Sequence, residues 1–123
     1  MYSLRVETEF AAAHFLKHYH GKCEKLHGHN YRVRLWVKSA ETGEGGMAAD
    51  FSLLKKALKE VADLLDHSNL NDNEIFRNDP SAERIARFIF EKVRDRLPEL
   101  GVTVKPSAVD VFETSVNMAR YEE

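Results

Sequence analysis

His27-Gly28-His29-Asn30-Tyr31-Arg32-Val33-Arg34-Leu35-Trp36-Val37-Lys38 is the stretch from which the fold can be read. His27, His29, Tyr31, Val33, Leu35 and Val37 fall on one side of an extended chain, and Asn30, Arg32, Arg34, Trp36 and Lys38 on the other. Successive side chains leave a strand on opposite faces, so this period of two predicts a half-buried strand. Residues 2–14 repeat the pattern. Tyr2, Leu4, Val6, Thr8, Phe10, Ala12 and His14 alternate there with Arg5, Glu7 and Glu9. Between the two strands, residues 15–26 have no clean period, contain Gly21 and are rich in Lys and His, which reads as a loop.

Further along the chain the period changes. Residues 39–49 form a glycine-rich connection without the Gly-Lys-Ser/Thr ending of a phosphate loop, and they read as a turn. Asp50 can cap a helix over 51–65, with Phe51, Leu54, Leu58, Val61, Ala62 and Leu65 on one stripe. A second helix is expected to start near Asp79-Pro80 and to carry Ala82, Ile85, Ala86, Ile89, Val93 and Leu97 inward, until Pro98 and Gly101 stop it. Strand alternation resumes with Val109, Val111 and Glu113 against Ala108, Asp110 and Phe112, followed by a short strand over about 116–121. The order is ββααββ. Two helices can cover only one face of such a sheet, so the expected class is α+β with an antiparallel sheet in a single domain spanning 1–123. Open sheet edges are usually paired or covered, which predicts a homo-oligomer joined through strand edges.

The 123 residues support one core, and 43% apolar with 31% charged residues fits a globular chain. A net charge of −2 leaves no broad basic field for nucleic acid or an anionic membrane, so an anionic ligand must be met by a local cluster. The start of the sequence has no signal-peptide pattern and no apolar run is long enough to span a bilayer, which predicts a cytoplasmic protein. A single cysteine, Cys23, excludes an internal disulfide and leaves one thiol for chemistry.

Three histidines stand out by parity. His14 shares the apolar face of its strand, and His27 and His29 share that of theirs, one pleat repeat of about 6–7 Å apart. If the strands are neighbours, three imidazoles converge. Neutral imidazole is a good Zn²⁺ ligand, and three protein ligands leave a fourth position open, the pattern of a catalytic site. Cys23 lies four residues before His27, beside Lys22 and Lys25, cations of the kind that lower a thiol pKa. Asp66-His67 pairs a carboxylate with an imidazole suited to moving protons near neutrality. Glu113 is a carboxylate on an apolar face, and a ligand with two adjacent N–H donors would satisfy both its oxygens.

Taken together, Ala12-Ala13-His14, Cys23-Glu24-Lys25-Leu26-His27-Gly28-His29, Leu65-Asp66-His67-Ser68-Asn69-Leu70-Asn71 and Phe112-Glu113-Thr114 resemble the 6-pyruvoyltetrahydropterin synthase family. Within it they are similar to the bacterial and archaeal 6-carboxytetrahydropterin synthases of queuosine biosynthesis. The resemblance covers essentially the whole chain. It implies the T-fold, in which ββααββ subunits join their sheets into a barrel as trimers or stacked hexamers. It also implies a substrate, 7,8-dihydroneopterin triphosphate, and a zinc ion held by His14, His27 and His29. Cys23 would be the proton-abstracting base, Asp66-His67 a partner dyad from a neighbouring subunit, and Glu113 with Thr114 the pterin anchor. Lys17, His18, His20, Lys22 and Lys25 would be a local charge set for the triphosphate, or else simply a solvated loop. Glu24 directly after Cys23 resembles the folate-pathway branch, which makes 6-hydroxymethyl-7,8-dihydropterin, and having both side chains resembles members with both activities. Two other classes fit parts of the pattern: 6-pyruvoyltetrahydropterin synthase proper, which has a longer spacing before His-Gly-His, and a zinc-binding module without catalysis.

Overall fold

The computed structural model describes all residues from Met1 to Glu123. Two long strands, β1 (Tyr2–His14) and β2 (His27–Ser39), pair antiparallel over their whole length, Tyr2 against Ser39 and His14 against His27. Helix α1 (Phe51–Asp63) follows, then a two-residue strand β3 (Ser68–Asn69), helix α2 (Ala82–Glu99), β4 (Pro106–Phe112) and β5 (Met118–Glu122). The sheet order is β3-β1-β2-β4-β5. Its long pairs are antiparallel, but β3 lies parallel to β1 at Ala12 and Ala13, so the sheet is mixed.

One face of the sheet makes the core. Val6, Phe10 and Ala12 of β1, Tyr31, Val33, Leu35 and Val37 of β2, and Val109 and Val111 of β4 are buried beneath the two helices. Leu54, Ala57, Leu58, Val61 and Ala62 are the buried positions of α1, at the 3- and 4-residue spacings of one helical stripe. Asp50 caps that helix by accepting from the Ser52 N–H at 2.8 Å. Phe51, expected on the inner stripe, is instead 52% exposed, because it is the first helical residue and precedes the turn that meets the sheet.

Four further boundaries differ from expectation. Ser81, not Asp79, caps α2, accepting from the Arg84 N–H at 3.3 Å, and the Asp79 carboxylate is engaged by His18 instead. Pro98 does not stop α2 but sits inside its last turn, the helix running on to Glu99, and Gly101 with φ +79° makes the left-handed exit. The helix α1 ends at Asp63, so Asp66 and His67 lie in the turn beyond it, and the last strand runs Met118–Glu122.

The opposite, helix-free face carries a ladder of alternating charge across four strands: Glu7 opposite Arg34, Arg34 opposite Asp110, Asp110 opposite Arg120. Arg34 donates to Glu7 at 2.6 Å. Asp110 is buried, 2% exposed, and accepts from Arg120 Nε at 2.6 Å, Arg120 Nη2 at 3.0 Å and Trp36 Nε1 at 2.8 Å. Burial alone would push this carboxyl up, but the Arg120 and Trp36 hydrogen bonds outweigh it and hold it below the usual range. A depressed native pKa stabilises the fold above the unfolded value, and that contribution disappears as pH falls through the native one. Arg120→Ala therefore should cost about 2 kcal/mol in urea unfolding at pH 7, the scale of hydrogen bonds to a charged group. The difference from the parent should shrink below about pH 4, the ordinary Asp range.

Candidate metal centre

Pairing β1 with β2 in this register brings the ends of the strands together, so His14 faces His27 directly and His29 follows one pleat on. The ring centroids are 4.7 Å (His14–His27), 5.0 Å (His14–His29) and 4.9 Å (His27–His29) apart. One nitrogen from each ring falls within 4.8 Å of the others, a group able to hold a metal ion. The sequence parity of these three residues therefore corresponds to a real convergence in space.

Backbone carbonyls determine which nitrogens face the centre. His14 Nδ1 lies 2.8 Å from Pro80 O, and His27 Nδ1 lies 2.8 Å from Lys25 O. A carbonyl oxygen only accepts, so each Nδ1 carries the proton and donates it. Each neutral ring then has a bare lone pair on Nε2. Those two Nε2 atoms are 3.1 Å apart, and His29 Nε2 is buried with no hydrogen-bond partner. Facing lone pairs repel unless a cation lies among them, so the donor set suits a divalent metal, with Pro80 and Lys25 as the outer supports that orient the ligands. Burial holds the His29 imidazole below its usual pKa, outweighing the Glu113 carboxylate, which opposes it. A neutral ring is the ligating form.

Tyr31, read from sequence as a core residue, borders the centre. Its ring stacks on Phe10 at 4.8 Å and meets His14 and His29 edge-on at 5.8 and 5.3 Å. Its hydroxyl is buried without a partner, and burial keeps it protonated far above the usual tyrosine range. Glu113, just past the end of β4, sits above the cluster with Oε1 4.0 Å from His14 Nε2 and Oε2 3.8 Å from His29 Nε2. Neither oxygen is within hydrogen-bond distance of a donor on the chain, and the residue borders a cavity of about 160 Å³ lined also by Ala82, Glu83, Asn117, Met118 and Ala119. Thr114 Oγ1 accepts from the Val116 and Asn117 N–H groups at 3.3 and 3.1 Å, shaping the turn that carries Glu113.

Cys23 and Glu24 part company in the 15–26 loop. Cys23 is exposed, its thiol donating to Glu24 O at 3.6 Å, and it is not among the clustered donor atoms. Glu24 is half-buried, its Oε1 accepting from the Leu16 N–H at 3.0 Å, and its charge is felt by His29 and Tyr31. Asp66 is fixed by the Ala11 N–H at 2.9 Å and by His67 Nδ1 at 2.8 Å, and these two, in that order, hold its carboxyl below the usual range. His67 has φ +54° and a side chain 83% exposed, presented outward. It shares with His29, Gly28 and Asn30 the lining of an open cavity of about 420 Å³. A Cβ on Gly28 would meet Ala12 O at an ordinary 3.6 Å, so packing within the chain does not require glycine there.

The chain belongs to the 6-pyruvoyl tetrahydropterin synthase family, whose pattern it matches over residues 3–123. Among its relatives is the Synechocystis sp. protein named 6-carboxy-5,6,7,8-tetrahydropterin synthase, 44% identical over 98% of this chain and 93% of the relative. The Bacillus subtilis protein of that name is 35% identical over 90% of this chain and 77% of its own length. In fold, the chain superposes on Caenorhabditis elegans 6-pyruvoyl tetrahydropterin synthase with a TM-score of 0.83 and 28% identity, covering 99% of this chain and 95% of that one. No helix is long and apolar enough to cross a membrane.

Elemental analysis of the purified protein should find one divalent transition metal per chain, and His27→Ala/His29→Ala should retain less than a tenth of it. Full occupancy in the double variant would remove the cluster from consideration.

Proposed function

We propose that this protein is a zinc-dependent lyase converting 7,8-dihydroneopterin triphosphate and one water to 6-carboxy-5,6,7,8-tetrahydropterin, with loss of triphosphate and release of acetaldehyde. The observation that carries the proposal is the trio of imidazole nitrogens within 4.8 Å of one another in a chain 44% identical to a protein of that name. His14, His27 and His29 would hold the Zn²⁺, which when bound would supply Lewis acidity at the substrate side-chain hydroxyls. Glu113 would accept from the 2-amino and ring N–H groups of the pterin, donors that its unsatisfied carboxylate lacks within the chain. Cys23, as thiolate, would take a proton from the side-chain carbon, and Asp66-His67 would relay protons at the hydroxyls.

Assembly belongs to the same reading. Strand β3 covers only Ala12 and Ala13 on the outer edge of β1, and nothing pairs with the outer edge of β5. Pairing of these edges between copies would close a barrel and bring His67 of one subunit toward the histidines of another. Trimers, or hexamers made of two of them, fit the expectation.

The deciding experiment is incubation of the metal-loaded protein with 7,8-dihydroneopterin triphosphate and identification of products by mass. The proposal expects 6-carboxytetrahydropterin and acetaldehyde. 6-Pyruvoyltetrahydropterin as the sole product would favour the synthase proper, and unaltered substrate would favour a binding module.

Glu24 is the ground for a second activity, formation of 6-hydroxymethyl-7,8-dihydropterin. Its half-buried carboxylate bears on His29, whereas adjacent Cys23 is exposed, so the two groups can meet different substrate protons. Cys23→Ala should abolish the carboxy product and keep some hydroxymethyl product, and Glu24→Gln should do the reverse with metal content unchanged in both. Products and rates unaffected by Glu24→Gln would leave the single activity. Glu113→Gln should weaken pterin binding by about 2–4 kcal/mol at constant metal content, the scale of truncating a buried charged pair. Loss of metal in that variant would instead make Glu113 a ligand.

A further inference from the structure

The Asn71 side chain bridges the two backbone segments that meet at His14. Its Oδ1 accepts from the Phe15 N–H at 2.9 Å, and its Nδ2 donates to Phe15 O at 2.8 Å and to Asn78 O at 3.2 Å. The partners are backbone groups of fixed polarity, so the orientation of the amide follows from them. Phe15 is the residue immediately after His14. Asn78 lies two residues before Pro80, whose carbonyl accepts the His14 Nδ1 proton. The span between them is short and constrained: Asn78 has φ +63° and Pro80 is buried.

The two segments are thus tied at three points: by Asn71 outside the centre, by the imidazole at it, and by the Lys17 N–H, which donates to Asn78 O at 3.2 Å. Asp79 adds a fourth tie, since its carboxylate accepts from the His18 N–H at 2.9 Å and His18 Nδ1 at 2.8 Å. His18 and Asp79 sit on the outer side of this junction, however, and His18 is largely exposed, whereas Asn71 is half-buried against the strand end itself.

We infer that Asn71 is a positioning residue of the metal centre, bracketing Phe15 and Asn78 so that Pro80 O is held where it fixes the tautomer of His14. Asn71 engages both polar backbone groups of Phe15, the residue next to His14, so its loss loosens the junction and lets the His14 ring turn or take its other tautomer, and either change removes a ligand lone pair from the cluster. The neighbouring asparagines do different work. The side chains of Asn69 and Asn73 each accept from a backbone N–H two residues on, at 3.1 and 3.2 Å, and cap short 3₁₀ turns. Asn69 also pairs with Ala13 through β3, so Asn73 supplies the structural comparison.

The inference rests on the metal reading above, so its test has one arm with metal and one without. Zn²⁺ affinity is measured by competition with a chromophoric chelator for the parent, Asn71→Ala, Asn71→Asp and Asn73→Ala. Asn71→Asp keeps an acceptor for the Phe15 N–H and loses both donated bonds, so it remains informative if the alanine variant does not fold. Affinity should fall about 10–100-fold in the Asn71 variants, the usual effect of removing a support of a metal ligand, and should be unchanged in Asn73→Ala. In the metal-free protein, ¹⁵N-edited NMR of the histidine rings should find a hydrogen-bonded Nδ1–H on His14 in the parent and its loss or exchange broadening in the Asn71 variants. Parent-like affinity together with an unchanged His14 Nδ1–H in a folded Asn71 variant would overturn the inference. A parent that binds no metal would overturn the metal reading instead, and the NMR arm would still decide whether Asn71 holds the tautomer.

Discussion

Two hydrogen bonds to backbone carbonyls, one from His14 to Pro80 and one from His27 to Lys25, impose the constraint around which the rest of the molecule is arranged. Each forces the ring proton onto Nδ1 and so turns a lone pair inward. The consequence is a cluster of acceptors 3.1 Å apart at its tightest, in a site where His14 is 2% exposed. Water cannot easily relieve such crowding, and a proton can relieve only one pair of lone pairs at a time. A divalent cation relieves all three at once, which is why the electrostatics of the chain favour a metal centre over three satisfied core histidines.

The fold serves this constraint through register. Aligning His14 with His27 fixes every other pair along β1 and β2, down to Tyr2 with Ser39, and a slip of one residue would send the histidines to the charged face. The core and the centre are therefore continuous: Tyr31 is at once a stacking partner of Phe10 and a wall of the histidine cluster. On the other face, the Glu7-Arg34-Asp110-Arg120 ladder holds the same strands in step through charge. That ladder gives β2 and β4 a reason to keep their register independent of the apolar side.

What the sequence made legible was whatever depends on local periodicity. The even and odd positions of β1 and β2 separated core from surface, apart from Tyr2 at the strand start, which is 52% exposed, and the same parity marked His14, His27 and His29 as facing one way. The stripe of α1 was readable for the same reason, apart from its first residue. The remainder depends on contacts between distant segments. Pro80 O reaches His14 across 66 positions, and no pattern in residues 78–80 announces it. Asp79-Pro80 looks like a helix start, yet Asp79 binds His18 and leaves the cap to Ser81. The two-residue β3 is too short to carry a period, and its parallel pairing with β1 made an apparently antiparallel sheet mixed. Glu113 was recognisable as an anomaly on an apolar face, while its place 3.8–4.0 Å from two imidazoles required the turn after β4.

The account turns on three imidazole nitrogens being the chain's contribution to the metal, with the thiol of Cys23 left free for chemistry. X-ray absorption at the zinc edge of the loaded protein measures this directly. The account predicts three nitrogen scatterers at about 2.0–2.1 Å from imidazole rings, a further light atom completing the shell, and no sulfur. A sulfur scatterer at about 2.3 Å would make Cys23 a ligand and contradict it.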